Sequence, residues 1–184
     1  MCIEIEAKLK VDSLQQVADR LTELGAVFLH NCIQKDSFFD EQTSALTRTD
    51  RCFRLRRQLI GPNEKIFLTY KGPKQKDNFK KRQEIEIEIN NADLAEKFFS
   101  ALGYNKVLAF EKKRSLWRLD DCLVALDELH LLGNFVEIEG PDDEKIAAVQ
   151  AKLQLSDLPH IQQSYASLMA KKLHRRNEVP ENTG

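Results

Sequence analysis

A chain of 184 residues, 42% hydrophobic and 31% charged, is typical of one folded globular domain rather than a disordered segment. Its formal net charge of −1 gives no reason to expect a nucleic acid or an anionic membrane as a partner. No apolar stretch approaches the length of a membrane span, and we expect no leader sequence at the N-terminus. The four cysteines form no C-x-x-C pair, so we expect a reducing, cytoplasmic location and no disulfide framework.

Alternation of apolar and charged residues dominates the first half of the chain. It is strict over residues 3–10, which predicts a β-strand with one charged and one apolar face. Asp12 and Ser13 then predict the start of a helix that ends at Gly25. Short strands are predicted over residues 35–39, 51–58 and 65–71, with a turn at Gly61-Pro62-Asn63 between the last two.

The second half continues in the same way after a polar, basic loop over residues 72–78. Strands are predicted over residues 80–89, 107–119, 122–127 and 134–139, and helices over 93–102, from 142 to about 155 and from 159 to about 175. No linker divides the chain, so we predict one domain over residues 1–176. The polar segment 177–184 is predicted to be disordered.

About eight short strands with helices inserted and appended predict an α+β fold. A closed eight-stranded antiparallel β-barrel with flanking α-helices is the simplest architecture that satisfies every segment. The helices carry apolar stripes, which need an apolar sheet surface to cover.

One face of nearly every predicted strand is charged. The charged residues are Glu4, Glu6, Lys8, Arg54, Arg56, Lys71, Lys80, Arg82, Glu84, Glu86, Glu88, Lys112, Arg114, Asp127, Glu137 and Glu139. They could face solvent, as one face of an antiparallel sheet often does. They could instead line the inside of the barrel, with the apolar rows under the helices. Carboxylates are the more numerous charged groups in the first, fifth and eighth strands, and basic groups in the third and sixth. A face shaped only for solubility would mix the two signs, so this sorting favours the alternative in which the charged rows line the inside of the barrel.

A charged barrel interior indicates a particular kind of ligand. Buried arginines and lysines must be neutralised by an anion or by opposing carboxylates, and the planar guanidinium suits phosphate oxygens. Carboxylates suit Mg²⁺ or Mn²⁺, which bridge phosphates. Together they predict a site for a metal-bound polyphosphate. The chain contains no P-loop and no G-x-G-x-x-G, which excludes a Walker-type nucleotide site.

These residues resemble a known family in their motifs and in the order of the motifs. Glu4-Ile5-Glu6-Ala7-Lys8 resembles the E-x-E-x-K signature of CYTH proteins, the triphosphate tunnel metalloenzymes. The later matching segments are residues 54–56, 68–73, 82–86, 112–114, 126–128 and 132–139, so the resemblance covers roughly residues 2 to 172. Within the family, the compact length and the ending at residues 132–139 are most similar to class IV adenylyl cyclases. Phe38 stands where many members carry tyrosine.

The resemblance implies an eight-stranded tunnel and a role for each charged residue. It implies that the triphosphate is bound by Lys8, Arg54, Arg56, Lys71, Arg82, Lys112 and Arg114. It implies that Mg²⁺ or Mn²⁺ is held by Glu4, Glu6, Asp127, Glu137 and Glu139, with Glu84 and Glu86 in support. The catalytic residues expected from it are Lys112, Arg114 and Asp127.

Two reactions and one binding function stay open at this point. A class IV adenylyl cyclase would convert ATP to cyclic AMP and pyrophosphate. A triphosphatase would hydrolyse tripolyphosphate, thiamine triphosphate or a nucleoside triphosphate in the same tunnel. A non-catalytic module would bind polyphosphate or nucleotide without turnover. The expected partner is a small-molecule triphosphate, with no nucleic acid and no membrane, and a homodimer is left open.

Overall fold

The computed structural model describes residues 2–75 and 79–178. Its strands are β1 (Cys2–Val11), β2 (Val27–Glu41), β3 (Cys52–Ile60), β4 (Asn63–Lys71), β5 (Lys80–Ile89), β6 (Tyr104–Leu119), β7 (Cys122–Leu129) and β8 (Gly133–Glu139). Its helices are α1 (Leu14–Glu23), α2 (Ala45–Arg48), α3 (Ala92–Ala101), α4 (Asp143–Lys152) and α5 (Tyr165–Glu178). No helix in these ranges is both long and apolar enough to cross a membrane.

The eight strands form one closed barrel, which confirms the predicted α+β architecture. Their order around the barrel is β1-β5-β4-β3-β2-β6-β7-β8, and every neighbouring pair is antiparallel. Five pairs of strands that are consecutive in the sequence are also neighbours in the barrel, namely β2 and β3, β3 and β4, β4 and β5, β6 and β7, and β7 and β8. Strand β1, by contrast, closes the barrel against both β5 and β8. The first strand of the chain therefore lies between two strands that come much later in the sequence.

The outer wall of the barrel is apolar where helices cover it. On β1, Ala7 and Leu9 are buried outward and pack with Val136 and Ile138 of β8. Helices α1 and α4 cover this surface with the apolar residues Val17, Leu21, Ile146 and Val149. Burying several such side chains, each worth about 1.5–3 kcal/mol, fixes the strand register, because a slip of one residue would turn the charged row into this core.

Two further apolar clusters lie on other parts of the barrel. Helix α3 places Ala92 and Phe99 against Phe39, Leu55 and Ile66 on the outside of β2, β3 and β4. Helix α5 covers one end of the barrel, and its cluster consists of Leu129, Phe135, Tyr165 and Met169 with partly buried neighbours. The end of the barrel beneath α5 is called the α5 end below.

The start and end of α1 and the end of α3 follow the predicted signals, whereas α3 begins one residue earlier than predicted, after Asn91. The Ser13 hydroxyl accepts a hydrogen bond from the backbone N–H of Gln16, and the Asn91 amide oxygen accepts one from Leu94. Gly25 and Gly103, just beyond the two helices, have φ of +71° and +88°. These are left-handed conformations that glycine adopts without strain.

Several predicted boundaries differ from the structure, and the start of β2 differs most. Strand β2 begins at Val27 instead of residue 35, α4 spans only Asp143–Lys152, and α5 begins at Tyr165 instead of residue 159. A register shift between Phe28 and His30 interrupts the alternation in the first half of β2, which hides the strand in the sequence. The short helix α2 was not predicted. Of the predicted disordered segment, residues 177 and 178 belong to α5, and residues 179–184 lie outside the described range, as do residues 76–78 of the basic loop.

Candidate functional site

The interior of the barrel encloses a cavity of about 530 Å³. The predicted site residues that line it are Glu4, Glu6, Lys8, Arg54, Arg56, Lys71, Arg82, Glu84, Glu86, Lys112, Arg114, Glu137 and Glu139. Asp127, the remaining one, lies directly behind Arg114 and is completely buried. The charged rows therefore face inward, and the apolar rows face the helices. The ion pairs in the wall fall into three clusters.

The first group, called the Asp127 cluster, consists of Lys8, Lys112, Arg114, Asp127, Glu137 and Tyr165. Arg114 donates from Nε to Asp127 Oδ1 at 2.6 Å and from Nη2 to Oδ2 at 2.5 Å. The Lys112 Nζ and the Tyr165 hydroxyl each donate to Oδ2 at 2.9 Å. Glu137 pairs with Arg114 and lies 3.2 Å from the Lys8 Nζ. Asp127 is thus saturated, and it holds two cations in place.

Tyr165 joins this cluster through its ring as well as its hydroxyl. The Nζ atoms of Lys8 and Lys112 lie 4.1 and 4.7 Å from the centre of the ring. Lys8 also donates to the backbone carbonyl of Gln163 at 3.2 Å, just before α5 begins. The N-terminal end of α5 therefore closes the α5 end of the cavity and positions two lysines.

Protonation within the Asp127 cluster reflects burial and neighbouring charge. Burial, reinforced by Arg114, lowers the pKa of Lys112 to about 8, although Asp127 and Glu137 act in the opposite direction. Burial opposes the charge of Glu137, but Lys8, Lys112 and Arg114 outweigh it and hold the pKa of that carboxyl well below its usual range. The cluster therefore keeps its carboxylates ionised while its cations remain available to an anion.

The second group, called the Asp36 cluster, consists of Asp36 on β2, Arg54 and Arg56 on β3, Thr69 on β4 and Glu86 on β5. Arg56 donates from Nε and Nη2 to the two oxygens of Asp36, both at 2.7 Å. Arg54 donates to the Thr69 hydroxyl at 2.9 Å, and that hydroxyl donates to Glu86 at 2.8 Å. Burial opposes the charge of Asp36, but Arg56 and Arg54 more than compensate and lower its pKa. Both arginines are therefore fixed with their forks inside the barrel.

The third group, called the Glu139 cluster, contains an excess of carboxylates: Glu4, Glu6, Glu84 and Glu139 with Lys71 and Lys80. Lys71 lies 2.7 Å from both oxygens of Glu4 and 2.8 Å from Glu84. Lys80 lies 2.5 Å from Glu6. Desolvation of its carboxyl, followed by the like charges of Glu4 and Glu6, raises the pKa of Glu139 to about 7, even though part of the residue is exposed. Carboxylates thus crowd together here without enough cations.

The Glu139 cluster has the donor chemistry of a Mg²⁺ or Mn²⁺ site. Hard divalent cations take carboxylate oxygens, and an added cation would relieve the repulsion that raises the pKa of Glu139. Within residues 2–75 and 79–178, no three such side chains are already arranged around a common metal position. Lys71 and Lys80 occupy the oxygens of Glu4 and Glu6, so a metal must displace them. Asp127 and Glu137, also predicted as metal ligands, are held by Arg114.

Arg82 differs from the other predicted phosphate-binding residues. Its guanidinium donates to the backbone carbonyl of Gly72 at 2.9 Å from Nε, and to that of Asp50 at 3.1 Å from Nη2. Its donors are thus turned towards the loops at the ends of β4 and α2 rather than towards carboxylates in the cavity. The structure gives Arg82 the geometry of a loop anchor.

Four residues of the site were not among the predicted ones. Lys80 stands in the charged row noted above for the fifth strand but was given no role, and alternation along its strand could have shown Asp36. Thr69 is fully buried between Arg54 and Glu86, and Tyr165 lies on a helix that the sequence pattern treats as packing. No local signal distinguishes the last two, because their partners are remote in the sequence.

Comparison with known proteins agrees with this geometry. The model of the CYTH domain family matches residues 2–171. The chain belongs to the CYTH family. The resemblance seen in the E-x-E-x-K segment is thereby confirmed, and the charged cavity described above is the tunnel of a CYTH domain.

Relatives in the CYTH family carry adenylate cyclase names. A Methanocaldococcus jannaschii protein described as a putative adenylate cyclase is 32% identical over 137 residues, which are 74% of this chain and 76% of that protein. The adenylate cyclase CyaB of Aeromonas hydrophila is 28% identical over 156 residues, 84% of this chain and 78% of the relative. A solved structure from Pyrococcus horikoshii superimposes with a TM-score of 0.82 at 27% identity and covers 92% of this chain and 99% of its own.

Proposed function

We propose that this CYTH protein is a divalent-cation-dependent enzyme that converts ATP to cyclic AMP and pyrophosphate inside the barrel. The observation that carries the proposal is a set of cations from β1, β3 and β6 that converge on one cavity: the buried Lys8, Arg54, Arg56 and Lys112 and the half-buried Arg114. Such an array matches the charge of a triphosphate. The adenylate cyclase names of two relatives support the choice of reaction.

The reaction requires positioning and charge stabilisation more than covalent help from the protein. The 3′-oxygen of ATP forms a bond to the α-phosphorus, the bond from that phosphorus to the bridging oxygen breaks, and the hydroxyl proton passes to solvent. Lys112 and Arg114 would stabilise the negative charge on the departing pyrophosphate. Asp127 would keep both cations aimed at it, because it binds each of them at 2.5–2.9 Å.

The acidic residues of the Glu139 cluster would hold the metal. Mg²⁺ or Mn²⁺ bound by Glu4, Glu6 and Glu139 would neutralise phosphate charge and favour ionisation of the attacking hydroxyl. When a triphosphate enters, Lys71 and Lys80 can exchange their carboxylate partners for phosphate oxygens. This exchange would free the oxygens of Glu4 and Glu6 at the moment the metal arrives.

Hydrolysis of a triphosphate is the alternative reaction of the same tunnel. The same cations would then stabilise the transition state for attack of water on the terminal phosphate. A structural neighbour from Hippeastrum, with a TM-score of 0.73 and 18% identity, is described as a putative adenylyl cyclase with a dominant triphosphatase activity. In hydrolysis the attacking group is water, so the site does not have to hold the ribose of a nucleotide in position as it does for cyclisation.

One assay separates these functions. The protein is incubated with ATP, or with tripolyphosphate, in Mg²⁺ or Mn²⁺, and cyclic AMP, pyrophosphate and orthophosphate are measured. We expect cyclic AMP and pyrophosphate in equal amounts from ATP. Orthophosphate without cyclic AMP would contradict the cyclase proposal and establish the triphosphatase. Tight binding without any product would instead establish a non-catalytic binding module.

A further inference from the structure

Arg54 has fewer hydrogen bonds than its burial in the tunnel wall would require. The residue is only 8% exposed, yet its Nε is buried without a hydrogen-bond partner among the residues that the structure describes. Its Nη1 lies 3.9 Å from Asp36 Oδ2, which is beyond hydrogen-bond distance. A buried donor on a charged group is costly when it has no acceptor, and a ligand that supplies acceptors removes that cost.

Arg56 and Arg114 show how a fully bonded arginine is held in the same tunnel. Arg56 donates from Nε and Nη2 to the two oxygens of Asp36. Arg114 donates from the same two nitrogens to the two oxygens of Asp127. Two parallel bonds to one carboxylate fix the plane of a guanidinium. Arg54 has no such pair of bonds, so its orientation depends on the group that holds its third nitrogen, Nη2.

Thr69 is the group that holds Nη2 of Arg54. The Thr69 hydroxyl accepts from Nη2 at 2.9 Å and donates to Glu86 Oε2 at 2.8 Å. The direct contact between Nη2 and Glu86 Oε2 is longer, at 3.4 Å. A hydroxyl has one hydrogen, and because Glu86 accepts it, the lone pairs of the oxygen are left for the guanidinium. The direction of the Thr69 hydroxyl is thus determined by a neighbouring carboxylate.

The strand register places these three residues in one row across the barrel wall. Arg54 on β3 is the cross-strand neighbour of Thr69 on β4, and Thr69 is the neighbour of Glu86 on β5. Neighbouring strands lie about 4.8 Å apart, so the backbones of Arg54 and Glu86 are separated by about 10 Å with Thr69 between them. Thr69 is completely buried at this central position. A short hydroxyl side chain there reaches both long side chains at once.

We propose that Thr69 is a positioning residue for triphosphate binding, because its hydroxyl holds Arg54 by Nη2 alone and leaves Nε and Nη1 for phosphate oxygens. The inference rests on the proposed function, since it requires a triphosphate in the tunnel. A carboxylate in place of the hydroxyl would form the two parallel bonds seen at Arg56 and would occupy donors that a phosphate needs. A neutral hydroxyl instead restrains the cation without neutralising it.

The test measures triphosphate affinity and stability separately in variants of Thr69. The ligand is an ATP analogue in which methylene groups replace both oxygens that bridge phosphorus atoms, so neither candidate reaction can cleave it. Its dissociation constant is measured by calorimetry in Mn²⁺. Thr69→Val keeps the shape of the side chain and removes the hydroxyl, and we expect the dissociation constant to rise about tenfold, the effect of one hydrogen bond to a charged group.

Two further variants of Thr69 control for the change of shape. Thr69→Ser keeps the hydroxyl, so its dissociation constant should stay within about twofold of the value for the unmodified protein. Thr69→Ala lacks the hydroxyl and introduces no new atom, so it should show the same tenfold rise as Thr69→Val even where the valine is poorly tolerated.

Two comparisons separate a positioning role from a merely structural one. Thr47→Val removes a hydroxyl that donates to Asp40, and neither of these residues lines the tunnel. It should lower stability in urea, as Thr69→Val does, but leave the dissociation constant unchanged. In an Arg54→Met background, Thr69→Val should change the dissociation constant by less than about twofold, because Thr69 acts through Arg54.

Three results would overturn the inference while the proposed function stands. The first is a dissociation constant within twofold of the unmodified protein in both Thr69→Val and Thr69→Ala. The second is a tenfold rise in Thr69→Ser, and the third is a tenfold effect of Thr69→Val in the Arg54→Met background. Failure of the unmodified protein to bind the analogue would instead overturn the proposed function itself, and the role of Thr69 with it.

Discussion

The Asp127 and Glu139 clusters share strands β1 and β8, yet they have opposite electrostatic characters. In the Asp127 cluster every charge has a partner, and Asp127 accepts from Arg114, Lys112 and Tyr165 together. In the Glu139 cluster the carboxylates outnumber the lysines, and the pKa of Glu139 rises to about 7. In the proposed function, the first cluster binds the phosphates with cations that its own carboxylates already position. The second would gain stability from an added cation, so in the proposed function the phosphates and the metal have distinct places in one tunnel.

Removal of Asp127 should produce the largest effect. Asp127→Ala leaves Lys112 and Arg114 without their main counterion in a buried site, at a cost of about 3–5 kcal/mol in the free energy of unfolding. Urea denaturation measures this cost. Glu128→Ala removes the next carboxylate, which faces outward and pairs with exposed Lys113, and should cost less than about 1 kcal/mol. Equal losses in both variants would show that the Asp127 cluster does not contribute as a buried network.

Removal of the Lys112 charge should affect turnover more than folding. Lys112→Met takes away a buried cation that contacts the departing phosphates in the proposed reaction, and kcat should fall by about 10²–10³-fold. Lys113→Met, one residue further along β6 on the outer face, should leave kcat within about twofold. Product formation from ATP measures both. A similar kcat in the two variants would exclude Lys112 from the reaction.

Titration of Glu139 should make the metal-free protein less stable as pH rises. Its pKa is about 7 in the folded protein and 4.5 without perturbation, so the folded state binds the proton more tightly. Ionisation of Glu139 therefore lowers the free energy of unfolding. This loss is absent below about pH 4.5, grows up to about pH 7 and is constant above it. Glu139→Gln should remove this contribution from urea midpoints measured between pH 5 and 8. Glu111→Gln, exposed on the outer wall, should keep the pH dependence of the unmodified protein.

Tyr165 should give the smallest of the four effects. Tyr165→Phe removes the hydrogen bond to Asp127 but keeps the ring between Lys8 and Lys112, and we expect a loss of about 1 kcal/mol in stability. Tyr165→Leu also removes the ring that contacts Lys8 and Lys112, and it should raise the KM for ATP above that of Tyr165→Phe. The affinity for Mn²⁺ should be unchanged in both variants, because Tyr165 contacts no residue of the Glu139 cluster in the described structure. A parallel loss of Mn²⁺ affinity would show that the two clusters act as one.

Much of the fold could be predicted because alternation is a local property. The strand at residues 80–89 has the predicted boundaries, and Glu4, Glu6 and Lys8 lie on the predicted face of β1. Strand β2 was predicted too short, because its register shift interrupts the alternation. Local periodicity therefore determines faces and fails where a strand is irregular.

Pairing across the barrel could not be read from the sequence. Glu6 and Lys80 are 74 residues apart, and Tyr165 reaches Asp127 across 38 residues. Whether a charged row ends up saturated or short of cations depends on these distant partners. The excess of carboxylate around Glu139 is a property of the assembled barrel and not of any strand. So is the buried side-chain oxygen of Gln34, which has no hydrogen-bond partner among the residues that the structure describes.

The closure of the barrel between β1 and β8 also constrains the order in which the chain can fold during synthesis. Lys8 bonds to Gln163, 155 residues later, and β1 must wait for both β5 and β8 before its backbone is paired on each side. During synthesis the first strand leaves the ribosome long before its neighbours exist. Contacts this distant in sequence slow folding, because a long loop must close before they form. The tunnel is consequently closed only after β8 has been made, because β1 pairs with that strand.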